Sequence, residues 1–252
     1  MPNARPRRFQ ESTAGVRLLA GTERVGLCGH FPSISRHQHA APSLVIGIDG
    51  PIRLVADRTH ESRAALIVPG FSHAVDLRGG RLAMFVLPPH ARSGEGVSPV
   101  RDLRRPRDWV ALGQAVYRGD LSDFGEVDAL LARERFRDRP IDDRLKTALD
   151  VVAQNLDDNV SIDFIGSAVR LSPSRLMGLA QSQLSTSFRH YRRWLRAFRV
   201  ARDYAAGASL TEAAIAAGFS SSAHLSATAR AHFGIRPSDI LIAQNRSQIR
   251  VL

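Results

Sequence analysis

The spacing of apolar residues changes near residue 100, and this change restricts the fold more than any other feature of the sequence. Before it, short apolar runs such as SLVIGI (43–48) and RLAMFVL (81–87) alternate with turn residues, with too few residues between them for helices. Such runs are typical of strands in an antiparallel barrel or sandwich. From Val127 onwards apolar residues recur at helical spacing. The chain is therefore predicted to be an α+β protein with an N-terminal antiparallel β domain and a C-terminal all-α domain.

The positive charge of the chain lies mainly at its two ends. The 252 residues carry a formal net charge of +11, and residues 159–252 contain 12 basic and 4 acidic side chains. A basic, acid-poor segment favours a polyanionic partner, although it also suits anionic lipid. Residues 111–158 are acidic instead, and residues 92–108 have the Arg-, Ser-, Gly- and Pro-rich composition of a linker.

The apolar runs and the cysteine content exclude several classes of protein. No apolar run approaches the roughly 18–20 residues that cross a bilayer, and the basic N-terminus lacks the apolar segment of a signal peptide. Cys28 is the only cysteine, so neither an internal disulfide nor a multi-cysteine metal site can form. A lone thiol fits a reducing compartment, and we expect a cytoplasmic protein with no membrane partner.

The last third of the chain contains an internal repeat of 48 residues. Ser161 recurs as Ser209, and Gly166 recurs as Ala214. Each copy predicts a capped short helix, a tight turn, a serine and a second helix. Because two short helices that cross steeply need a small residue at their contact, both copies indicate a helix-turn-helix unit.

The segment between the two copies predicts one long helix. Residues 188–206 contain neither Gly nor Pro, and 19 helical residues span roughly 28 Å. This length is close to the roughly 34 Å between successive major-groove faces of a DNA duplex. One chain could therefore read two adjacent grooves.

The motifs within this repeat resemble the C-terminal DNA-binding domain of AraC/XylS transcriptional regulators over residues 161–240. They are LSPSRL (171–176), FRHYRRWLR (188–196), AAGFSSSAHLS (216–226) and HFGIRPSDI (232–240). The resemblance implies a regulator that binds double-stranded DNA, with the helices after Ser172 and Ser220 in major grooves. It further implies a cupin-like sensor or dimerisation domain at 1–100, connecting helices at 101–158 and the double helix-turn-helix at 159–252. A homodimer, a small-molecule effector and contact with RNA polymerase are the other expected partners.

Three departures from the family pattern bear on stability and sequence reading. Arg170 stands where the family usually has Gly in the first turn, and a left-handed conformation there would cost about 1 kcal/mol. Ala180 and Ala229 replace the usual Phe and reduce both small cores. Among the residues expected to face bases, only Arg175 offers a bidentate contact of the kind that specifies sequence. We therefore expect phosphate contacts to supply much of the affinity.

The DNA-contacting residues that this resemblance and the charge pattern predict fall on three helices. They are Ser172, Ser174, Arg175, Met177 and Gly178, then Arg189, Arg192, Arg193 and Arg196, and finally Ser220, Ser221, Ser222, Ala223, Ala227 and Arg230.

Three histidines in the N-terminal domain resemble the remains of a cupin metal motif. His37 and His39 lie on one side of an extended segment, His73 follows later, and Ser43 stands where metal-binding cupins have a carboxylate. Neutral imidazoles suit transition metals, so these three residues are the candidates should a metal bind. We nevertheless expect no cofactor, and ordinary hydrogen bonds or contact with an organic effector are the alternatives.

The sequence as a whole predicts a transcriptional regulator and not an enzyme. No phosphate loop or nucleophile elbow is present. Two other hypotheses stay open: a metal-dependent cupin enzyme with a structural C-terminal appendage, and a regulator with weakened DNA readout that acts through protein contacts.

Overall fold

A computed structural model of the chain describes residues 15–21, 24–31, 34–89, 91–92, 98–134, 136–138, 140–184, 186–241 and 249–251. The strands are β1 (Arg17–Ala20), β2 (Val25–His30), β3 (Ile34–His37), β4 (Ser43–Gly47), β5 (Ile52–Val55), β6 (Thr59–Ser62), β7 (Ala64–Ile67), β8 (His73–Asp76), β9 (Arg81–Val86), β10 (Ala91–Arg92), β11 (Val100–Asp102), β12 (Arg137–Asp138) and β13 (Ile249–Val251). The helices are α1 (Pro106–Arg118), α2 (Gly125–Arg133), α3 (Asp143–Gln154), α4 (Ile162–Ala168), α5 (Pro173–Leu184), α6 (Phe188–Ala205), α7 (Leu210–Ala216), α8 (Ser222–Phe233) and α9 (Pro237–Ile240).

The described strands form two large sheets that face each other and a short two-stranded sheet of β10 and β12. One has the strand order β11-β7-β4-β9-β2-β1-β13 and the other the order β3-β8-β5-β6. All their pairs are antiparallel except β1 with β13. Among the described strands no ladder joins the two sheets. The α+β class and the antiparallel N-terminal domain are thus confirmed.

Both faces of the large sheet are buried, which explains the continuous apolar runs in the sequence. Val45 and Met84 point into the core between the sheets, whereas Leu44 and Phe85 point to the opposite face. Helix α1 covers that opposite face with the fully buried Trp109. The predicted linker therefore leads directly into a helix of the N-terminal core, although its residues 93–97 lie outside the described part. The predicted boundaries at residues 100 and 158 stay predictions.

The helical domain follows the predicted repeat closely. The Ser161 hydroxyl accepts the Phe164 N–H and caps α4. Ser209 and Glu212 form the predicted capping box of α7, with the Ser209 N–H donating to the Glu212 carboxylate at 2.8 Å. The predicted long helix is α6, which separates the α4–α5 unit from the α7–α8 unit.

The two turns of the repeat differ by one residue. Arg170 adopts the predicted left-handed conformation with φ 54°, and Gly218 has φ 80°. The α8 cap, however, is Ser221, whose hydroxyl accepts the His224 N–H at 3.1 Å, and α8 begins at Ser222. The interpretation of Ser220 as the residue that starts this helix was therefore one residue early. The second helices are related by 49 residues, because the second turn holds one residue more.

The two domains are in direct contact. Strand β13 at the C-terminal end pairs in parallel with β1, and α8 packs against β3. Within the part of the chain that the structure describes, no helix combines the length and the apolar character needed to cross a bilayer.

Candidate DNA-binding surface

The first candidate reading helix, α5, presents its predicted contact residues to solvent. Ser174, Arg175, Met177 and Gly178 are exposed, while Leu176, Ala180 and Leu184 turn inward. The alternation follows the helical period, so the exposed face continues to Gln181. Gln181 was not among the predicted contacts, although it follows Gly178 at helical spacing and its amide can pair with adenine.

The second candidate reading helix, α8, exposes Ala223, Ala227 and Arg230 and partly exposes Ser222. The 49-residue relation makes His224 the counterpart of Arg175 and Ser226 the counterpart of Met177. Neither residue was among the predicted DNA contacts. His224 is exposed, and its Nδ1 lies 3.1 Å from the Ser220 hydroxyl. Helix α8 therefore presents the polar His224 imidazole beside the groove-facing positions.

A cleft, here called the arginine cleft, lies between α6 and the start of α8. It is lined by Asn159, Arg189, Arg192, Arg193, Arg196, Phe219 and His224. Arg189 also borders a second concavity formed with Met177 and Gln181 of α5. One basic side chain of α6 thus adjoins the exposed parts of both reading helices.

The guanidinium groups in the arginine cleft are not equivalent. Arg189 is exposed, whereas Arg196 is buried and donates to the Leu156 carbonyl at 2.9 Å and 2.6 Å. Arg192 donates to the Val160 carbonyl at 2.8 Å. Burial, with the neighbouring charge of Arg189, lowers the pKa of Arg193. The geometry therefore gives Arg192 and Arg196 a structural role, and leaves Arg189 and Arg193 as the better candidates for phosphate.

The far end of α8 is held by the N-terminal domain. The Ser35 N–H and hydroxyl both donate to the Gly234 carbonyl, at 3.0 Å and 2.8 Å. The Gln38 N–H donates to the Ala231 carbonyl at 3.2 Å. Gly234 ends α8 with φ 72°. The C-terminal end of a candidate reading helix is thus hydrogen-bonded to strand β3 and the residue after it.

The three candidate histidines are brought together beside this contact. His37, His39 and His73 are all buried, and the Nε2 atoms of His37 and His39 are 2.9 Å apart. Burial, reinforced by the neighbouring His73, lowers the pKa of His37 to about 4, and burial also lowers the pKa values of His39 and His73. The three rings are therefore neutral near pH 7. Among the described residues, no group of three or more His, Cys, Asp or Glu side chains is spaced to hold a metal ion in this arrangement.

An apolar cavity of about 80 Å³ lies between the domains. It is bounded by Leu18 and Leu27 of the large sheet and by Phe198, Ala229 and Phe233 of the helical domain. Ala229 is the residue predicted to leave one small core underfilled, and the cavity occurs at that position.

The helical domain matches a known sequence family, and the whole chain is similar to solved structures. Residues 165–241 match the HTH_18 family, described as a helix-turn-helix domain. The chain is similar to the crystal structure of ToxT from Vibrio cholerae O395, with a TM-score of 0.57, 12% identity, and coverage of 90% of this chain and 95% of that one. A ToxT structure from Vibrio cholerae strain SCE256 with a bound unsaturated fatty acid has a TM-score of 0.56 and 13% identity, covering 90% and 93%.

One further relative is more similar in sequence. An AraC-type transcriptional regulator from Chromobacterium violaceum is 30% identical over 42% of this chain and 94% of its own length, with a TM-score of 0.39. The search of curated proteins finds no match.

Proposed function

The chain belongs to the AraC/XylS family of DNA-binding transcriptional regulators, and from this premise we propose that it reads two successive major grooves of double-stranded DNA with α5 and α8. The observation that carries the proposal is the position of Arg189, which borders the exposed face of α5 and also lines the arginine cleft next to His224 of α8. A duplex lying across this surface would meet a reading helix on each side of a basic strip.

Phosphate contacts supply most of the proposed affinity, because the groove-facing side chains are small. Gly178, Ala223 and Ala227 have no polar side chain, and only Arg175 and Gln181 offer bidentate contacts to bases. Each phosphate contact contributes about 0.9 to the slope of log K against log salt. If only Arg189, Arg193 and Arg230 contact phosphate, these side chains should contribute about 3 to the magnitude of that salt slope. If Arg192 and Arg196 also contact phosphate, the contribution should be about 4.5.

Selection of bound DNA from a random pool with the full chain, followed by fluorescence anisotropy over a range of salt concentrations, tests this function. We expect a reproducible motif with two parts about one helical turn apart, and affinity that falls steeply with salt. Absence of any salt-dependent binding between low and physiological ionic strength would end the proposal.

A regulator that acts mainly through protein contacts is the second candidate. The small groove-facing residues favour it, because they weaken base reading. Salt-dependent binding without any selected motif would support this candidate over sequence-specific reading. We propose no catalytic role, and we propose that the protein acts in the cytoplasm.

The contact between the domains suggests one partner other than DNA. We propose that a small apolar effector enters the cavity beside Ala229, because that space adjoins both the large sheet and α8. ToxT, which has a similar fold, binds an unsaturated fatty acid. A homodimer and contact with RNA polymerase are proposed from the family alone. Such an effector changes DNA binding only if it binds with different affinities to the state in which α8 contacts β3 and to a state in which this contact is broken.

A further inference from the structure

We propose that the cavity between β1, β13 and the C-terminal end of α1 binds a small dianion through Arg17 and Arg250, and that the bound dianion holds β13 on β1. The chemical class is a short dicarboxylate or a phosphate. Neither part rests on the proposed DNA-binding function.

Strand pairing brings the two arginines to one face of the large sheet. β13 runs parallel to β1, and Arg250 is the register partner of Leu19. Side chains alternate along a strand, so Arg17 and Leu19 point to the same face, and Arg250 points there with them. Leu19 belongs to the core that α1 covers. The two arginines therefore lie on the α1 side of the sheet, whereas the cavity beside Ala229 is on the opposite side.

The arginines border a cavity of about 280 Å³. Its other walls include the aliphatic side chains of Leu19, Val116 and Leu121, together with Gly119 at the end of α1. Pockets for drug-sized ligands occupy roughly 300–1,000 Å³. This cavity is therefore suited to a smaller molecule.

A backbone carbonyl positions each guanidinium group. The Arg17 Nε donates to the Tyr117 carbonyl at 2.5 Å, and the Arg250 Nη1 donates to the Leu121 carbonyl at 3.1 Å. A Cβ added to Gly119 would lie 2.7 Å from the Arg17 Nη1, so this guanidinium packs directly on the turn that ends α1. A guanidinium has several N–H donors. Each carbonyl occupies one of them, and the others remain for an anion.

The two positive charges are not balanced by carboxylates of the described residues. The ion pairs within that part of the chain include neither Arg17 nor Arg250. Asp120 adjoins two lining residues in the sequence, but the Arg118 Nε donates to its carboxylate at 2.6 Å. The C-terminal end of a helix carries about half a negative charge, which offsets about a quarter of the two positive charges. The cavity therefore keeps an excess of positive charge that a dianion neutralises.

A dianion matches this pair of donors better than a monoanion does. Carboxylate and phosphate oxygens accept two parallel N–H bonds from one guanidinium. A short dicarboxylate such as succinate offers one carboxylate to each arginine, and its two methylene groups suit the aliphatic walls at Leu19 and Val116. A phosphate ion instead shares its oxygens between both arginines.

Occupancy of the cavity acts on the contact between the domains through β13. Ile249 points to the opposite face from Arg250 and packs on the core that α6 also contributes to. An anion that bridges Arg17 and Arg250 adds to the backbone pairing of β13 with β1. It therefore also fixes the strand against which α6 packs.

The first experiment follows thermal unfolding of the full chain with succinate, inorganic phosphate, acetate or succinamide, at slightly alkaline pH and at constant ionic strength set with sodium chloride. With millimolar dissociation constants, about 10 mM of either dianion should raise Tm by about 3–6 °C. Acetate should bind about tenfold more weakly or worse, because it engages one guanidinium instead of two. Neutral succinamide should leave Tm unchanged.

Two variants and one control locate the site by calorimetric titration. Arg17→Gln and Arg250→Gln should each weaken dianion binding by about tenfold or more. Arg63→Gln is the matched control, because Arg63 also donates to a backbone carbonyl, that of Ile48 at 2.7 Å, but does not line the cavity. Circular dichroism establishes that each variant is folded. Amide hydrogen exchange in β1 and β13 of the wild-type chain should slow when the dianion binds.

Different results would overturn different parts of the proposal. If neither dianion binds, or if folded Arg250→Gln binds as tightly as Arg63→Gln, there is no such site. If acetate binds as tightly as succinate and phosphate, the ligand is not a dianion. If the site fills but exchange in β13 does not slow, the effect on strand pairing is wrong. Binding of either dianion supports the site, and the tighter one identifies the anionic group.

Discussion

The left-handed Arg170 in the turn of the first helix-turn-helix unit predicts a measurable strain in the folded protein. Arg170 has φ 54° and is exposed, whereas Gly occupies the corresponding position in the second unit as Gly218, with φ 80°. A side chain in this region costs about 1–2 kcal/mol. Replacing Arg170 by Gly removes that cost.

Part of this gain is lost in the unfolded state. Glycine adds about 0.4–1 kcal/mol of unfolded-chain entropy relative to residues with a side chain. Arg170→Gly should therefore stabilise the protein by about 0.5–1 kcal/mol. For a chain of this size that raises Tm by about 1–4 °C.

The converse change serves as the control. In Gly218→Ala the new Cβ would lie 2.8 Å from the Arg196 Nη2, whose guanidinium donates to the Leu156 carbonyl. The left-handed cost and the weakened charged hydrogen bond together predict a loss of about 2–4 kcal/mol.

Thermal unfolding followed by circular dichroism, with urea titration at one temperature, measures both variants. A fall in Tm for Arg170→Gly would refute the reasoning, because the left-handed backbone would then not be a source of strain. An unchanged Tm for Gly218→Ala would show that Arg196 does not depend on the second turn.

Three further predictions concern DNA binding, the core of the N-terminal domain and acid stability. Arg189→Gln should weaken binding to all duplexes alike and reduce the salt slope by about 1, because Arg189 is assigned to phosphate. Arg175→Gln should instead relax the preference at one base pair, because Arg175 is assigned to a base. Equal effects of both variants on binding to random DNA would contradict these two assignments. Glu134→Ala should lower the free energy of unfolding, measured by urea titration, by about 1–3 kcal/mol. The reason is that the buried Glu134 carboxylate accepts the indole N–H of Trp109 and the backbone N–H at residue 104. An unchanged free energy of unfolding would exclude a structural role for Glu134. Side-chain hydrogen bonds from Arg81 lower the pKa of Asp49 from 3.8 to about 2. The stabilisation that the ionised Asp49 carboxylate contributes is therefore present above pH 3.8 and lost as the pH falls through about 2, so the Tm of Asp49→Asn should fall less than that of the wild type over this range. Parallel curves of Tm against pH for the two proteins would argue against this assignment.

The position of α8 has a consequence for regulation. Its N-terminal end carries the candidate groove-facing residues, while its C-terminal end at Gly234 is bound to Ser35 of the N-terminal domain. A displacement of β3 would therefore also displace this end of α8, unless these hydrogen bonds break.

Local patterns predicted much of the helical domain, because its units are stabilised by contacts close in sequence. The caps at Ser161 and Ser209, the long helix from Phe188 and the left-handed Arg170 all depend on neighbouring residues. The misplaced start of α8 had a different origin. A run of three serines permits either Ser220 or Ser221 to cap; in the structure Ser221 caps, with Phe219 and Leu225 buried in the small core.

The sequence by itself determined the α+β division, the doubled helix-turn-helix and the family to which the chain belongs, since these follow from hydrophobic period, turn residues and motif spacing. The tertiary structure alone decided which arginines of α6 are free, because Arg196 is occupied by the carbonyl of Leu156, 40 residues earlier. It also decided that β13 joins β1 and that three histidines meet beside Gly234. Such contacts join residues far apart in the chain, and their free energy comes from burial and shape complementarity, which a local pattern does not contain.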